Sequence, residues 1–532
     1  MAKRHDLHIL LVPVFIGFAL LLLVLSSLMD WRGWRHSGES DSTHRVDDAA
    51  LEPGEASHLL QSQMPVKKES SLQTWSQTGI LCLTSYRFYT GFLSATWMPY
   101  LLAMEGNALM GDKQPFFMGT AKLIYGTSIV MNPIFGLVGD QVAVVSHWSG
   151  RRVFVLLGVA AGGLGIYGCI VAAQIGSVWW YMAAVVLWML GEAIADVTTE
   201  TLVPELLPRS QYDVGANIRA INFLVGGLVG YATLIIFRHW DYSWLYYGYL
   251  SVMLLCAFLT LSFTNTEDLE ASRPQRRKNW PVGKLVKKAY MLPAQLEGGF
   301  PKACLCLFVF SLGTAPMFFL LLMVRDLIGI QDPVAMQLQF SIISIVFFIS
   351  AATATMAEKL IIPSSSEEPS AEAGADAGAG GGERHSQQRK ALVLRWQLMV
   401  WSIVLFGVVA AAMPVVGLLP HEGIRMGSFY VIALLFGASF GSVYSRFQEC
   451  TWSLLPPGVD VANAMGFAAM CKLAGVGVGN FVAGIILDVC SSHSFILTGY
   501  FVMCMLCTLV VLLSAKLAAE IGEAACQTFD AH

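Results

Sequence analysis

The sequence predicts an all-α integral membrane protein built from two six-helix halves, with one further helix ahead of them. Three observations point there. Hydrophobic residues make up 55% of the 532, charged residues only 13%, and mean hydropathy is +0.59, far too apolar for a soluble domain. Thirteen apolar runs of about 20 residues occur, each long enough for a helix across a bilayer and without the strict alternation of barrel strands. Lys and Arg gather in alternate loops, as the positive-inside rule requires.

In chain order, 1–29 reads as an N-terminal hydrophobic helix, with its apolar run at 8–28 behind Lys3 and Arg4. No small-residue cleavage site follows, so we expect it to be retained as an uncleaved helix, leaving 30–77 as a cytosolic polar segment. The first half, 78–264, has runs at 79–104, 115–139, 153–173, 178–203, 214–237 and 242–264. A central loop, 265–301, carries Arg273, Arg276, Arg277, Lys278, Lys284, Lys287 and Lys288 and is expected in the cytosol. The second half, 302–515, has runs at 303–325, 334–362, 392–415, 428–455, 461–487 and 493–515. Its Ser-, Glu-, Ala- and Gly-rich stretch 363–391 reads as a disordered loop, and 516–532 as a C-terminal tail. Arg151, Arg152, Lys359, Arg384, Arg389, Lys390 and Arg395 fall on the basic side. The opposite loops show only Lys113, Arg238, Arg325 and Arg425.

A repeat supports the halving. Glu200, Leu206-Leu207-Pro208, Ala216-Asn217, Gly226 and Gly230 recur as Glu449, Leu454-Leu455-Pro456, Ala462-Asn463, Gly475 and Gly479. Both copies fall in the fourth and fifth spans of their half, and small residues four apart let helix backbones approach.

The chemistry is concentrated in a few intramembrane charges, each expensive unless it faces protein, water or a partner. Glu192, Asp196 and Glu200 lie four apart in one span, so they climb its side in steps of about 6 Å with a drift of about 40°. Glu192 and Asp196 are the deeper pair and read as proton-coupling or substrate residues; fixed pairing within the bundle is the alternative. Arg87 and Lys122 join them as substrate or ion-pair residues, Arg87 with Asp196 as its structural alternative partner. Glu200 and Glu205 lie nearest the basic side, where Arg151, Arg152 and Arg219 could latch them. In the second half Arg446 and Glu449, three apart on one helix, can neutralise one another, with Lys472 in the next span.

Ten of the eleven cysteines, Cys82 to Cys507, lie in or beside apolar runs without paired spacing and read as small buried residues. No metal-ligand cluster, phosphate loop or nucleophile motif occurs, so neither cofactor, metal, enzymatic activity nor nucleic-acid partner is expected. Glu55, Leu59 and Leu60 have the form of an acidic dileucine sorting signal, which would bring a coat adaptor and an endolysosomal or vacuolar address; the plasma membrane is the other destination.

Between the second and third spans the chain reads Asn132-Pro133-Ile134-Phe135-Gly136-Leu137-Val138-Gly139-Asp140 and then Gly150-Arg151-Arg152. This resembles the loop signature of the major facilitator superfamily. The resemblance implies that Gly136 allows close helix approach, while Asp140, Gly150, Arg151 and Arg152 form a cytosolic gate between halves. The insert between Asp140 and Gly150 is longer than usual and Gln141 replaces a basic residue, which favours subfamilies with an extended loop. Pro99-Tyr100 and Gly215-Ala216-Asn217 through Gly226 to Tyr231 are similar to glycoside and sucrose cation symporters. Asp196-Val197, Glu200, Leu202-Val203 and Glu205 are similar to folate-biopterin transporters.

These readings lead to the expectation of a secondary carrier moving a small polar solute, a sugar first, by proton symport with alternating access. A folate or pterin carrier and a facilitative uniporter are the alternatives within the class. A transporter-like receptor or membrane scaffold is the alternative outside it.

Overall fold

The structure is a computed structural model that describes residues 75–136, 138, 150–208, 211–264, 287–296, 299–361, 381–454 and 461–531. Among them there is no strand. The first half contains α1 (Gln77–Leu83), α2 (Tyr86–Thr96), α3 (Leu102–Met110), α4 (Gln114–Ile129), α5 (Gly150–Ile175), α6 (Val178–Leu206), α7 (Tyr212–Ile236) and α8 (Trp244–Ser262). The second contains α9 (Phe300–Leu312), α10 (Ala315–Phe318), α11 (Leu320–Met323), α12 (Pro333–Ile361), α13 (Gly381–Ala412), α14 (Glu422–Ser453), α15 (Val461–Ser492) and α16 (Ile496–Ala531).

Nine of the described helices, α5 to α8 and α12 to α16, are long and apolar enough to cross a membrane. The chain is therefore an integral multi-pass membrane protein. Three further runs fold as interrupted helices. The run expected at 79–104 begins at α1, capped by Ser76, which accepts a 3.1 Å bond from the Gly79 amide. It turns at Thr84–Ser85 and widens into a π-turn at Trp97–Leu101, where Pro99 lacks the amide hydrogen an α-helical bond needs. The run at 115–139 breaks at Val130–Met131 after α4. The run at 303–325 breaks at Gly313–Thr314 ahead of Pro316, and again at Phe319, before a π-turn at Val324–Ile328.

Other expectations change at their edges. Residues 381–391, read as part of a disordered loop, form the first turns of α13, and 516–531, read as a tail, continue α16. Arg325 is not a loop residue but sits in the π-turn Val324–Ile328, and Arg425 lies in the first turn of α14. The hydrophobic helix at 1–29 lies outside the described residues, as does nearly all of 30–77 and most of the central loop.

Packing joins the halves through swapped pairs: α4 lies against α15, and α7 against α12. The second and fifth crossings of each half thus meet the fifth and second of the other. The α4–α15 seam is backbone on backbone. A Cβ added to Gly126 would sit 2.7 Å from the Leu473 carbonyl oxygen, and one added to Gly484 would sit 2.6 Å from the Pro115 carbonyl oxygen. Gly119 and Gly477 pack in the same way, so the antiparallel helices meet along glycines seven apart.

The repeat has a common structural use. Gly226 and Gly230 seat α7 on α2, where a Cβ at Gly226 would overlap the Phe88 carbonyl. Gly475 and Gly479 seat α15 on α9, where a Cβ at Gly479 would overlap the Leu312 carbonyl. Each fifth crossing is therefore pinned to the first crossing of its own half by matching glycines.

Candidate substrate and coupling site

The α6 acids converge on α2 and α7. Glu192, 5% exposed, accepts a 2.9 Å bond from the Tyr86 hydroxyl. One turn along, Asp196 Oδ1 lies 3.1 Å from Arg87 Nη1. Glu200 pairs with both Arg87 and Arg219. Thr84, Tyr86, Arg87, Thr199, Glu200 and Arg219 line a small cavity beside these pairs. The cluster thus ties the first, fourth and fifth crossings of one half together while keeping limited access to water.

Of the partners expected for Glu200, Arg219 is in place and Arg87 joins it. Arg152 lies in the first turn of α5, half-buried. Asp140 and the side chains of Arg151, Glu205 and Glu449 lie outside the described residues, as do Glu55, Leu59 and Leu60; Gly150 begins α5. Gly136 does not mark a close approach. An added Cβ there would meet only Val197 Cγ1, at 4.0 Å, because the tight seam lies farther along at Gly119 and Gly126.

Lys122 is wholly buried on α4. Its Nζ donates a 2.9 Å bond to the Phe318 carbonyl at the broken crossing of the other half, and lies 4.3 Å from the Phe319 ring centroid. In the second half Lys472 bonds the Tyr444 hydroxyl and sits 4.5 Å above its ring. Arg446, on the same helix as Tyr444, is buried.

Three arrangements were not foreseen. At the end away from the basic loops, Arg325 Nη1 donates to Gln114 Oε1 at 2.7 Å, and its Nε donates to Asp326 at 2.7 Å. Tyr500 donates to the same Asp326 carboxylate at 2.7 Å. Nearby, the Tyr100 hydroxyl donates to Gln337 Oε1 at 2.7 Å, and Gln337 Nε2 donates to the Leu234 carbonyl at 2.8 Å, again joining the halves. Glu105, buried between α3, α6 and α8, accepts a 2.7 Å bond from Tyr246, whose oxygen is 2.9 Å from that of Tyr181. For Glu105, Arg325 and Asp326 the signal available was a charge in or at the edge of an apolar run, whereas Tyr100 and Gln337 offered none. All eleven cysteines are free thiols, and among the described residues no three metal-ligating side chains converge.

The bundle, its interrupted first crossings and its swapped seams define a two-domain membrane carrier. The profile of the Major Facilitator Superfamily matches residues 72–366, more than half the chain, and the protein belongs to that family. No curated protein sequence matches it. Among solved structures, the fold is similar to the nucleoside transporter NupG, with 12% identity, a TM-score of 0.56, and coverage of 84% of this chain and 98% of that one. It is also similar to the POT family transporter PepTSo at 11% identity and TM-score 0.54, covering 86% and 99%. The D-xylose-proton symporter follows at 12% identity and TM-score 0.53, covering 82% and 96%. At these identities the likeness concerns the fold. The protein is a transporter and not an enzyme.

Proposed function

We propose that this carrier moves a small polar solute, a sugar in the first place, by proton-coupled symport with alternating access between its halves. One observation carries the proposal: Arg87 is shared between Asp196 and Glu200, while Glu192, one turn deeper, is held by the Tyr86 hydroxyl. Protonation of Asp196 takes one of the two α6 carboxylates from Arg87 and leaves Arg87 to Glu200, and loss of the proton restores the pair, so a proton changes the connection between the first and fourth crossings. The sugar reading is supported by the similarity of 90–240 to glycoside and sucrose cation symporters, and by a fold shared with a D-xylose-proton symporter. The dileucine pattern at Glu55, Leu59 and Leu60 supports an adaptor-dependent endolysosomal or vacuolar address, with the plasma membrane as its default.

The test is uptake into proteoliposomes of labelled sugars, folates and amino acids, with and without an inward proton gradient. Concentrative uptake only under the gradient is the expected result. Equilibrating flux indifferent to the gradient would replace symport by facilitated diffusion. Binding without flux would replace the carrier by a receptor.

A further inference from the structure

We infer that Lys122 docks a carboxylate of the transported solute, which makes that solute a small organic acid. The inference rests on the carrier reading above and narrows its substrate from neutral sugars to acids such as sugar acids.

The ammonium of Lys122 has three donors, of which one reaches the Phe318 carbonyl. The other close companions are the faces of Phe318 and Phe319, at 5.4 Å and 4.3 Å. Among the described residues no carboxylate lies within ion-pair distance of it. Glu192, Asp196 and Glu200 are already held by Tyr86, Arg87 and Arg219. A wholly buried lysine so placed is costly, since one carbonyl and two aromatic faces leave two of its three donors without an acceptor among the described residues.

Its position is between the halves. Lys122 lies on the α4–α15 seam, where its own carbonyl would touch a Cβ built on Gly477. Its head group meets the second half where the helix stops between α10 and α11. Interrupted helices in membranes occur where backbone lines a cavity or is buried in protein, and carriers use such breaks to hold solute.

A second buried donor lies in the same interface. Tyr125, one turn beyond Lys122, has its ring 6.2 Å from that of Trp97 in the first π-turn. The Trp97 indole nitrogen is buried without a protein acceptor, and an indole can only donate. Lys122 and Trp97 thus offer donor capacity and aromatic faces, which suit a carboxylate on a hydroxylated or ring-bearing body.

The charge balance favours an anion. Tyr125 is within electrostatic range of Arg87, Glu192, Asp196 and Tyr444, and Tyr444 in turn of Arg87, Arg219 and Lys472. This central set holds Arg87, Arg219 and Lys472 against Glu192, Asp196 and Glu200, and Lys122, one turn from Tyr125, adds a cation with no carboxylate within ion-pair distance among the described residues.

The experiment compares acid and neutral partners in proteoliposomes: glucuronate with glucose, nicotinate with nicotinamide, and pterin-6-carboxylate with pterin. Wild-type protein is expected to take up at least one acid tenfold faster than its neutral partner. Lys122→Met should lower that uptake tenfold or more while its unfolding midpoint stays level or rises. Flux confined to neutral members, or acid uptake by Lys122→Met at the wild-type rate, overturns the site but leaves the carrier standing. So does a midpoint that falls together with uptake, since that marks a structural lysine. Absence of flux for every pair counts against the carrier reading itself, and the site falls with it.

Discussion

Arg325 and Gln114, 211 residues apart in the chain, meet at 2.7 Å across the two halves, at the end of the bundle away from the basic loops. Arg325 is held on its other side by Asp326, and Asp326 by Tyr500, so the donor is aimed before it reaches the first half. With Tyr100 also bonded to Gln337 of the other half, polar contacts hold the halves together here and must break for them to part.

Arg325→Ala should weaken that closure. A hydrogen bond to a charged group contributes about 1.5–3 kcal/mol, enough to shift a two-state population by tenfold or more. Hydrogen exchange should accelerate in 102–114 and 324–336 and hold steady at the basic end. Unchanged exchange in both segments would rule out a closing role.

Glu192→Gln and Asp196→Asn should each reduce gradient-driven accumulation at least tenfold while leaving solute counterflow within a few-fold of wild type. Both variants keep shape and lose only the ability to ionise. Accumulation at the wild-type level in both would remove these acids from coupling.

Arg87→Met strands Asp196 among buried neighbours and leaves Glu200 to Arg219. Breaking a buried pair costs about 3–5 kcal/mol; here about 2–4 kcal/mol is expected because the side chains remain 16% and 20% exposed. Adding Asp196→Leu should recover most of it. Thermal unfolding in detergent checks this, and equal midpoints for the single and double variants would contradict it.

Gly126→Val should cut uptake tenfold or more, because its Cβ would press on the Leu473 carbonyl at 2.7 Å across the seam. Gly136→Ala, although it alters the signature loop, should stay within twofold, having only Val197 at 4.0 Å. The pair of uptake rates, normalised to reconstituted protein, decides whether the signature glycine or the seam glycine sets the approach.

Much of this was legible from residue type alone. An apolar run tolerates few charges, so Arg87, Glu192, Asp196 and Glu200 had to find one another or water, and the matching glycines of the repeat marked where helices touch. Lys122 stood out as a charge, but its companions did not, because Phe318 lies 196 positions away and hydropathy has no term for an aromatic face. The breaks at Thr84–Ser85 and Gly313–Thr314 were hidden because averaging over 20 residues smooths across a turn. The beginning of α13 was missed because its glycines mask helical neighbours, and the end of α16 because its charges resemble those of a tail. Tyr500 and Tyr246 gave no warning, since a tyrosine in an apolar run is unremarkable until its hydroxyl meets an acid.

The glycine seam between α4 and α15 also separates two properties that most moving interfaces mix. Where the faces meet through glycine backbone they have little to disengage when they slide, so those contacts work as a bearing and add little to the barrier. The preference for one orientation then rests on bolts such as Arg325–Gln114, at the end of the seam where α4 begins. Speed and bias can therefore drift independently: roughening the seam slows the cycle in both directions, whereas loosening a bolt changes where the protein rests without changing how freely it turns.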